Sequence, residues 1–371
     1  MQTRWLALIL GCASLLAIIS ACSSGKTALK QGDYYDAVLN SVNRLRGSPT
    51  HKKATLVLTQ AYPLAIDLIE TGIQNGLSSD DPRKWRNAVT GYNKINYLND
   101  QIKSSLGAMK VITQPVTKFK ELAEAKPKAA EESYQDGIRF MMKSTRDDAK
   151  QAYFAFKEAN DYQQGYREVI EMMNQAEFNA TLRVAYEEIN ASRINYGSFQ
   201  PIINSLQRQF VSFKPLNAND TLKPHQVLRI AFNGFYQDSR AMISSRNESI
   251  ERSIKVGEKK MPDGKMQDIM ETVKATLTIF TKVKNARSEA TVTVTEVATN
   301  GYLQNNQVLG NARWQYDWAT FKGDQRALNG DQLNLCKRSE TFPNDSDLYN
   351  QAMSRLQENL LLQLRGFYNR Y

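Results

Sequence analysis

The sequence has few residues that carry catalytic chemistry, with two histidines and three cysteines in 371 residues. His51 and His225 are far apart in the chain, and neither belongs to an HExxH, CxxC or similar ligand pattern. Each is therefore interpreted as a surface histidine, and a hydrolase that relies on a serine–histidine pair is disfavoured. The sequence predicts a protein that is not an enzyme, has no cofactor and no metal site, and is not expected to bind a small molecule. The alternative is an enzyme with two convergent carboxylates.

The sequence also lacks the pairs of cysteines that would form a disulfide framework. Cys12 and Cys22 lie close to the amino terminus, and Cys336 is the third cysteine of the chain. An unpaired thiol cannot form an internal disulfide. Cys336 is therefore interpreted as a small buried apolar residue.

The amino terminus combines a basic residue, an apolar run and small residues. Arg4 precedes the run from Leu6 to Ile19, which is shorter than the ~20 residues needed to cross a bilayer. A cleavage site with small residues follows, as in a secretory signal peptide. The first 21 residues are therefore predicted to be a signal peptide and not a membrane-spanning anchor.

The quartet Ile19-Ser20-Ala21-Cys22 is similar to the lipobox of bacterial lipoproteins. This resemblance implies cleavage before Cys22, acylation of Cys22 with chains such as palmitate, and a lipidated tether over residues 22–25. No aspartate directly follows the cysteine, which implies the outer membrane. No acidic residue lies in 23–26, which favours a body facing the periplasm, with the cell surface as the alternative. A plain signal peptide that happens to contain a cysteine is the competing interpretation.

The formal net charge is +10, and removal of residues 1–21 removes only Arg4 and leaves +9. No block of arginine and lysine alternates with stacking aromatic residues, so a nucleic-acid partner is not expected. The favoured counterpart is the anionic envelope surface or an acidic protein. Hydrophobic residues make up 42% of the chain and charged residues 23%, which is typical of a globular protein.

Residues 26–175 are predicted to form an all-α domain of amphipathic helices. The stretch from Gly32 through Ala37 to Pro49 resembles a tetratricopeptide (TPR) repeat, in which glycine allows a tight turn and alanine allows close helix approach. Similar helices surround Ala88 and Ala149, but the three alanines are 51 and 61 residues apart, unlike a regular array. The resemblance therefore implies irregular TPR-like hairpins, and an unrelated helical bundle is the alternative.

Proline residues and a change of pattern predict the boundaries within the chain. Helix breaks are expected at Gln114-Pro115 and Lys126-Pro127, because proline disfavours helical backbone in the preceding residue. After residue 175 the pattern changes to alternating apolar and polar residues. Residues 176–371 are therefore predicted to form a second, α+β domain.

This second domain is expected to contain a mainly antiparallel sheet and a C-terminal amphipathic helix. Asn300-Gly301 favours a hairpin turn, and residues 235–255 are expected to form a polar helix. The predicted strands are 178–184, 227–232, 275–283, 289–297 and 312–321, and the terminal helix spans about 346–367. The order of these elements is similar to small periplasmic domains of other lipoproteins, including the curli-secretion type, which implies a fold only.

Two further features are candidate sites. Trp314, Tyr316 and Trp318 alternate along a predicted strand and so share one face. They are either a ligand platform, for example for a sugar, or the packed side of the sheet beneath the terminal helix. Asp220-Thr221-Leu222 is similar to O-glycosylation sites of Bacteroidota envelope proteins, which implies a glycan on Thr221.

Together these features resemble a TPR-like outer-membrane lipoprotein of the Bacteroidota type. The predicted function is a scaffold for protein–protein interactions, or an accessory subunit of an envelope complex for secretion, assembly or transport. Such helical arrays commonly hold a segment of a partner. The alternative function is a surface-exposed glycan-binding lipoprotein that uses the aromatic strand.

Overall fold

The computed structural model describes residues 25–262 and 265–371. The predicted signal peptide, Cys22 and most of the predicted tether lie outside these residues. The chain divides into two compact units, of which unit one ends at Ala180 and unit two begins at Thr181. The boundary expected between residues 175 and 176 falls inside the last helix of unit one.

Unit one is helical throughout its described elements. Several of its helices begin with a side-chain cap, as where Asp33 accepts a hydrogen bond from the Asp36 amide at 3.1 Å. The bounds are α1 Lys26–Gln31, α2 Tyr34–Gly47, α3 Lys52–Leu77, α4 Lys84–Lys103, α5 Leu106–Met109, α6 Phe119–Met141, α7 Arg146–Tyr162 and α8 Val169–Ala180.

Three residues of the predicted first hairpin lie at its turn, in its helix and in the connection that follows. Gly32 ends α1 with a φ of 82°, a left-handed conformation that favours glycine. Ala37 is fully buried on α2, and Pro49 lies in the connection between α2 and α3. Each of these residues therefore has a local structural role.

The two expected proline breaks have different outcomes. Pro115 lies in the irregular segment between α5 and α6, so a break is confirmed there. Pro127 lies inside α6, so the second prediction is wrong. Proline removes one backbone hydrogen bond from a helix, but Ala125, Ala129 and Ala130 are buried on either side of it and hold the helix in place.

Unit two is a six-stranded sheet with helices. Its strands are β1 Leu182–Asn190, β2 Val211–Pro215, β3 Gln226–Gln237, β4 Met242–Lys260, β5 Met266–Glu296 and β6 Tyr302–Gly323. Its helices are α9 Gln200–Asn204, α10 Gly330–Cys336 and α11 Asp345–Tyr368, with a 3-10 turn at Gln325–Ala327. The α+β class and the terminal amphipathic helix are confirmed.

The sheet is mixed, so the prediction of a mainly antiparallel sheet is corrected. Strand β1 pairs in parallel with both β2 and β3, while β3, β4 and β6 pair antiparallel with β5. The parallel pairs arise because residues 191–210 and 216–225 are long enough to return the chain to the same end of the sheet. Residues 178–180 are also helical and not the start of a strand.

The prediction of a polar helix over residues 235–255 is wrong, because residues 235–237 belong to β3, residues 242–255 belong to β4 and residues 238–241 connect the two strands. Both strands pair with one long partner, β5, and β4 is exposed along most of its length. A strand with solvent on both faces carries no alternation of apolar and polar residues. The polar sequence of β4 therefore resembled a solvated helix.

Strand β5 changes its buried face near its middle. Its odd-numbered residues Val273, Ala275, Leu277 and Ile279 are buried with α10, whereas its even-numbered residues from Lys282 to Val294 are buried on the other face, largely with α11. Successive side chains of a strand point to opposite faces. The two predicted strands, 275–283 and 289–297, are therefore parts of one strand that two helices cover from opposite sides.

The terminal helix lies very close to β6 at Gly310. A Cβ atom added to Gly310 would lie 2.1 Å from the carbonyl oxygen of Ala352 and 2.3 Å from the amide nitrogen of Leu356. Leu356, Leu360 and Leu364 are fully buried against the sheet. This contact sets the position of α11 and forms the main core of unit two.

Within residues 25–262 and 265–371, no helix is both apolar enough and long enough to span a membrane.

Candidate functional site

The structure places the three predicted aromatic residues together on β6. The ring planes of Trp314 and Tyr316 are nearly parallel with centroids 6.0 Å apart, and those of Tyr316 and Trp318 are 6.3 Å apart. Phe280 on β5 extends the row, stacked on Trp318 at 5.3 Å. The predicted common face is therefore confirmed, and all three predicted residues are half-buried.

Two lysines of β5 lie beside these rings on the same face. In the register of the two strands, Lys282 is opposite Tyr316 and Lys284 is opposite Trp314. Cross-strand neighbours on one face lie about 5 Å apart at Cβ. Trp314, Tyr316, Trp318, Phe280, Lys282 and Lys284 are hereafter called the aromatic–lysine row.

The row is crossed by residues 337–344, which have no regular helix or strand and are hereafter called the crossing segment. This segment leads from α10 on one face of the sheet to α11 on the other. Glu340 accepts a hydrogen bond from Lys282 Nζ at 2.7 Å, and the Lys282 ammonium lies 3.3 Å from the ring centroid of Phe342. Arg338 donates a hydrogen bond to the carbonyl oxygen of Asp317 at 3.3 Å.

The first residue of α11 continues this pattern of contacts. Asp345 accepts a hydrogen bond from Lys284 Nζ at 2.7 Å. That bond, together with one from the Gln237 amide, holds the pKa of Asp345 below its ordinary value despite some desolvation. Asp345 is therefore ionised at neutral pH, and Lys284 has a charged partner.

A separate groove lies in unit one between α3 and α4. It encloses about 330 Å³, and its floor is formed by Leu68, Ile69, Gly72, Ile73, Ala88 and Gly91. Residues four apart on a helix share a face, so Leu64, Leu68 and Gly72 form one row along α3. Leu64 and Leu68 are both exposed. This α3/α4 groove is an apolar surface open to solvent.

The three glycines of the groove differ in what surrounds them. A Cβ atom at Gly91 would lie 2.6 Å from Ile73 Cγ1, so this glycine allows α4 to pack closely on α3. At Gly72 and Gly76 an added Cβ atom would meet nothing within 4 Å. The spacing Gly72-x-x-x-Gly76 therefore leaves open room that no described residue fills.

The rim of the groove is basic. Lys84 and Lys94 of α4 both line it, and among the described residues neither lies within ion-pair distance of a carboxylate. The Lys94 ammonium lies 5.8 Å from the ring centroid of Tyr35. Burial, and then the neighbouring Tyr97 and Asp36, raise the pKa of Tyr35, so its phenol stays neutral. The groove thus combines an apolar floor with unpaired positive charge.

The other predicted sites are found at dispersed positions. Thr221 is exposed in the loop between β2 and β3, where a glycan has room. Cys336 is half-buried, and burial raises the pKa of its thiol. Cys22 lies outside the described residues.

The histidines have local partners. The Ala54 amide donates to His51 Nδ1 at 3.2 Å, so His51 caps α3. The Arg183 amide donates to His225 Nδ1 at 3.1 Å. Among the residues that the structure describes, no group of three or more histidine, cysteine, aspartate or glutamate side chains is placed to hold a metal ion.

Sequence reasoning missed Lys282, Lys284 and the α3/α4 groove. The lysines did carry a signal, because Phe280, Lys282 and Lys284 alternate and must share one face of a strand. The glycine spacing at 72 and 76 was a second signal, typical of close helix approach.

No protein-family profile matches the chain, and a search of curated proteins finds no match in sequence.

Proposed function

We propose that this protein is a lipoprotein anchored to the outer membrane through Cys22 and that it acts as a docking subunit of an envelope complex for secretion, assembly or transport. The α3/α4 groove carries the proposal for docking. A row of exposed leucines beside an open glycine-lined floor is the kind of apolar surface that commonly marks a protein interface. The lipid anchor rests on the lipobox resemblance alone.

The charge of the groove indicates the chemistry of its partner. Among the described residues, Lys84 and Lys94 have no carboxylate partner, so both are available to an external acidic group. An amphipathic helix that carries aspartate or glutamate beside its apolar face would satisfy both the floor and the rim. We infer that the partner contributes such an acidic amphipathic segment.

A groove-filling substitution tests the docking proposal. Gly72→Leu places a side chain in the open floor without an internal clash, and Gly366→Leu is the matched control, since Gly366 also lies in a helix with nothing within 4 Å of its Cβ position. A photo-cross-linking residue at Asn87 would be used in solubilised envelopes to capture the partner. The proposal requires one protein that is cross-linked in the parent chain and in Gly366→Leu but lost in Gly72→Leu. Equal capture in all three would refute it.

The membrane anchor has its own test. Intact-mass measurement of the purified protein would give an acylated Cys22 as the first residue, and Cys22→Ser would move the protein to the aqueous phase after detergent partitioning. Protease treatment of whole cells would spare a body that faces the periplasm. An unmodified amino terminus would refute the anchor while leaving the docking test intact.

The second candidate function, a surface-exposed glycan-binding lipoprotein, depends on Trp314, Tyr316 and Trp318. Their parallel, half-buried rings favour it, and the crossing segment over the same row disfavours it. Binding on a glycan array that is lost in Trp314→Ala and Trp318→Ala would support this alternative.

A further inference from the structure

Lys282 and Lys284 are unusual because they are lysines buried on a sheet. Lys282 is 2% exposed and Lys284 is 9% exposed. An ammonium removed from water is strongly destabilising unless a charged partner replaces its hydration. Among the described residues, the carboxylate partner of Lys282 is Glu340 and that of Lys284 is Asp345.

Glu340 lies in the crossing segment and Asp345 is the first residue of α11, and both carboxylates lie largely at the surface. The side chains of Glu340 and Asp345 are 44% and 60% exposed, and Phe342 is 74% exposed. No residue of the crossing segment is fully buried. Segments with few buried apolar contacts open at low free-energy cost. The crossing segment is therefore held mainly by ion pairs and ring contacts that another molecule could replace.

The surface beneath the crossing segment is rigid by comparison. Its six residues lie on two strands joined by a continuous antiparallel register. Fixed aromatic rings beside fixed cations supply contact area and charge recognition with little loss of side-chain freedom on binding. The site is therefore preorganised, and the crossing segment shows which groups it accepts.

We propose that the aromatic–lysine row is a binding surface for an extended acidic peptide of a partner protein, and that the crossing segment occupies this surface in the free chain. The crossing segment provides a carboxylate on Lys282 and an aromatic ring over the same ammonium, and Asp345, the residue that follows it, provides a carboxylate on Lys284. A partner segment with an aromatic residue between two acidic residues reproduces all three contacts. This surface is distinct from the α3/α4 groove and does not depend on it.

The test uses a peptide with the protein's own sequence. A fluorescent heptapeptide corresponding to residues 339–345, SETFPND, which carries two acidic and no basic side chains, is titrated into the full chain and into the release variant Glu340→Gln/Phe342→Ala. The peptide should bind the release variant at least tenfold more tightly than the parent chain. The matched control peptide, with glutamine, asparagine and alanine in place of its glutamate, aspartate and phenylalanine, should not bind. Adding Lys282→Met to the release variant should abolish binding.

A second measurement covers the case in which the release variant does not fold. Hydrogen exchange of the amides of residues 337–344 is followed in the parent chain with millimolar peptide, and exchange should accelerate at least threefold with the acidic peptide only. If the release variant folds and binds neither peptide, or binds both equally, the proposal is overturned. If the release variant is unfolded, the proposal is overturned by an unchanged rate of amide exchange at residues 337–344 of the parent chain when the acidic peptide is added. A release variant that binds a polyuronate oligosaccharide but not the acidic peptide also overturns it, in favour of a glycan.

Discussion

Gly310→Ala should destabilise unit two much more than its single added methyl group suggests. The added Cβ would lie 2.1 Å from the Ala352 carbonyl oxygen and 2.3 Å from the Leu356 amide nitrogen. Ordinary contacts between such atoms are near 3.5 Å, so α11 must move by about 1 Å. The obstacle is backbone, and no change of side-chain rotamer can relieve it.

The size of the effect follows from two opposing contributions. Overpacking of this kind costs about 3 kcal/mol, and a shift of α11 also weakens the contacts of Leu356 and Leu360 with the sheet. Replacing glycine stabilises a strand by about 0.5–1 kcal/mol. The net loss is about 2 kcal/mol, which corresponds to a fall in Tm of roughly 4–8 °C for a unit of this size.

The assay compares Gly310→Ala with Gly257→Ala by calorimetry and by hydrogen exchange of α11. Gly257 is also in a strand, but its nearest neighbour to an added Cβ is Ile269 Cδ1 at 3.8 Å. Because the glycine replacement is unopposed there, the control should raise Tm by about 1–4 °C. Equal Tm values for the two variants, with unchanged protection of α11, would refute the close-approach explanation.

Three further predictions concern unit one. Gly91→Ala should lower the free energy of unfolding by about 2 kcal/mol in a urea titration, because the added Cβ would lie 2.6 Å from Ile73. Gly72→Ala should raise the free energy of unfolding by about 1 kcal/mol, because nothing lies within 4 Å of its added Cβ. A change of the same sign in both variants would contradict this reasoning. Arg86→Met should cost about 3 kcal/mol because it leaves the largely buried Glu132 without its cation and Asp136 with only the exposed Arg139. Arg139→Ala should cost under about 1 kcal/mol because Asp136 then keeps Arg86, and comparable losses would rule out the buried network. Burial and the neighbouring Glu158 raise the pKa of Tyr162 from 10.0 to about 12, so its contribution is full below pH 10 and is lost as the pH rises from 10 to about 12. Tyr162→Phe should reduce this loss in urea titrations across that range, and an unchanged pH profile would count against the assignment.

The helical unit and the terminal helix were predictable because their apolar spacing is uninterrupted. Leu348, Leu356, Leu360 and Leu364 recur at helical spacing, and all of them are buried. The prediction was wrong at Pro127, where buried alanines on both sides outweigh the loss of one hydrogen bond. Helical apolar spacing in the sequence therefore predicted the structure where the apolar residues are also buried.

The sheet was less predictable because its burial depends on which helix covers which face. The phase of β5 changes between Ile279 and Lys282, where the cover changes from α10 to α11. A pattern search reads this change as the end of one strand and the start of another. Strand β4 was not predicted for the opposite reason. Both of its faces are exposed, so its sequence has no alternation of apolar and polar residues to detect.

The candidate sites were also predictable only where a local pattern in the sequence specifies them. Trp314, Tyr316 and Trp318 could be placed on one face from their spacing alone, because period two is a local property. The pairing of Lys282 with Glu340 spans 58 residues and depends on how the crossing segment passes over the sheet. No local pattern contains that information, so the sequence predicted the aromatic residues of β6 in this row but not its two lysines.

The described glycines differ in whether a side chain at their position would meet another part of the unit. Gly91, Gly137 and Gly310 each have a neighbour within 2.6 Å of the position that a Cβ atom would take. Glycine lowers the stability of a helix or strand, but at these three positions it allows a close contact inside the unit. Gly72 gives up about 1 kcal/mol relative to alanine inside α3 and gains no internal contact. It is neither at a turn nor in a left-handed conformation. This stability cost has no internal benefit, and it lies beside exposed leucines and beside lysines that have no carboxylate partner among the described residues. The docking surface proposed above accounts for this combination.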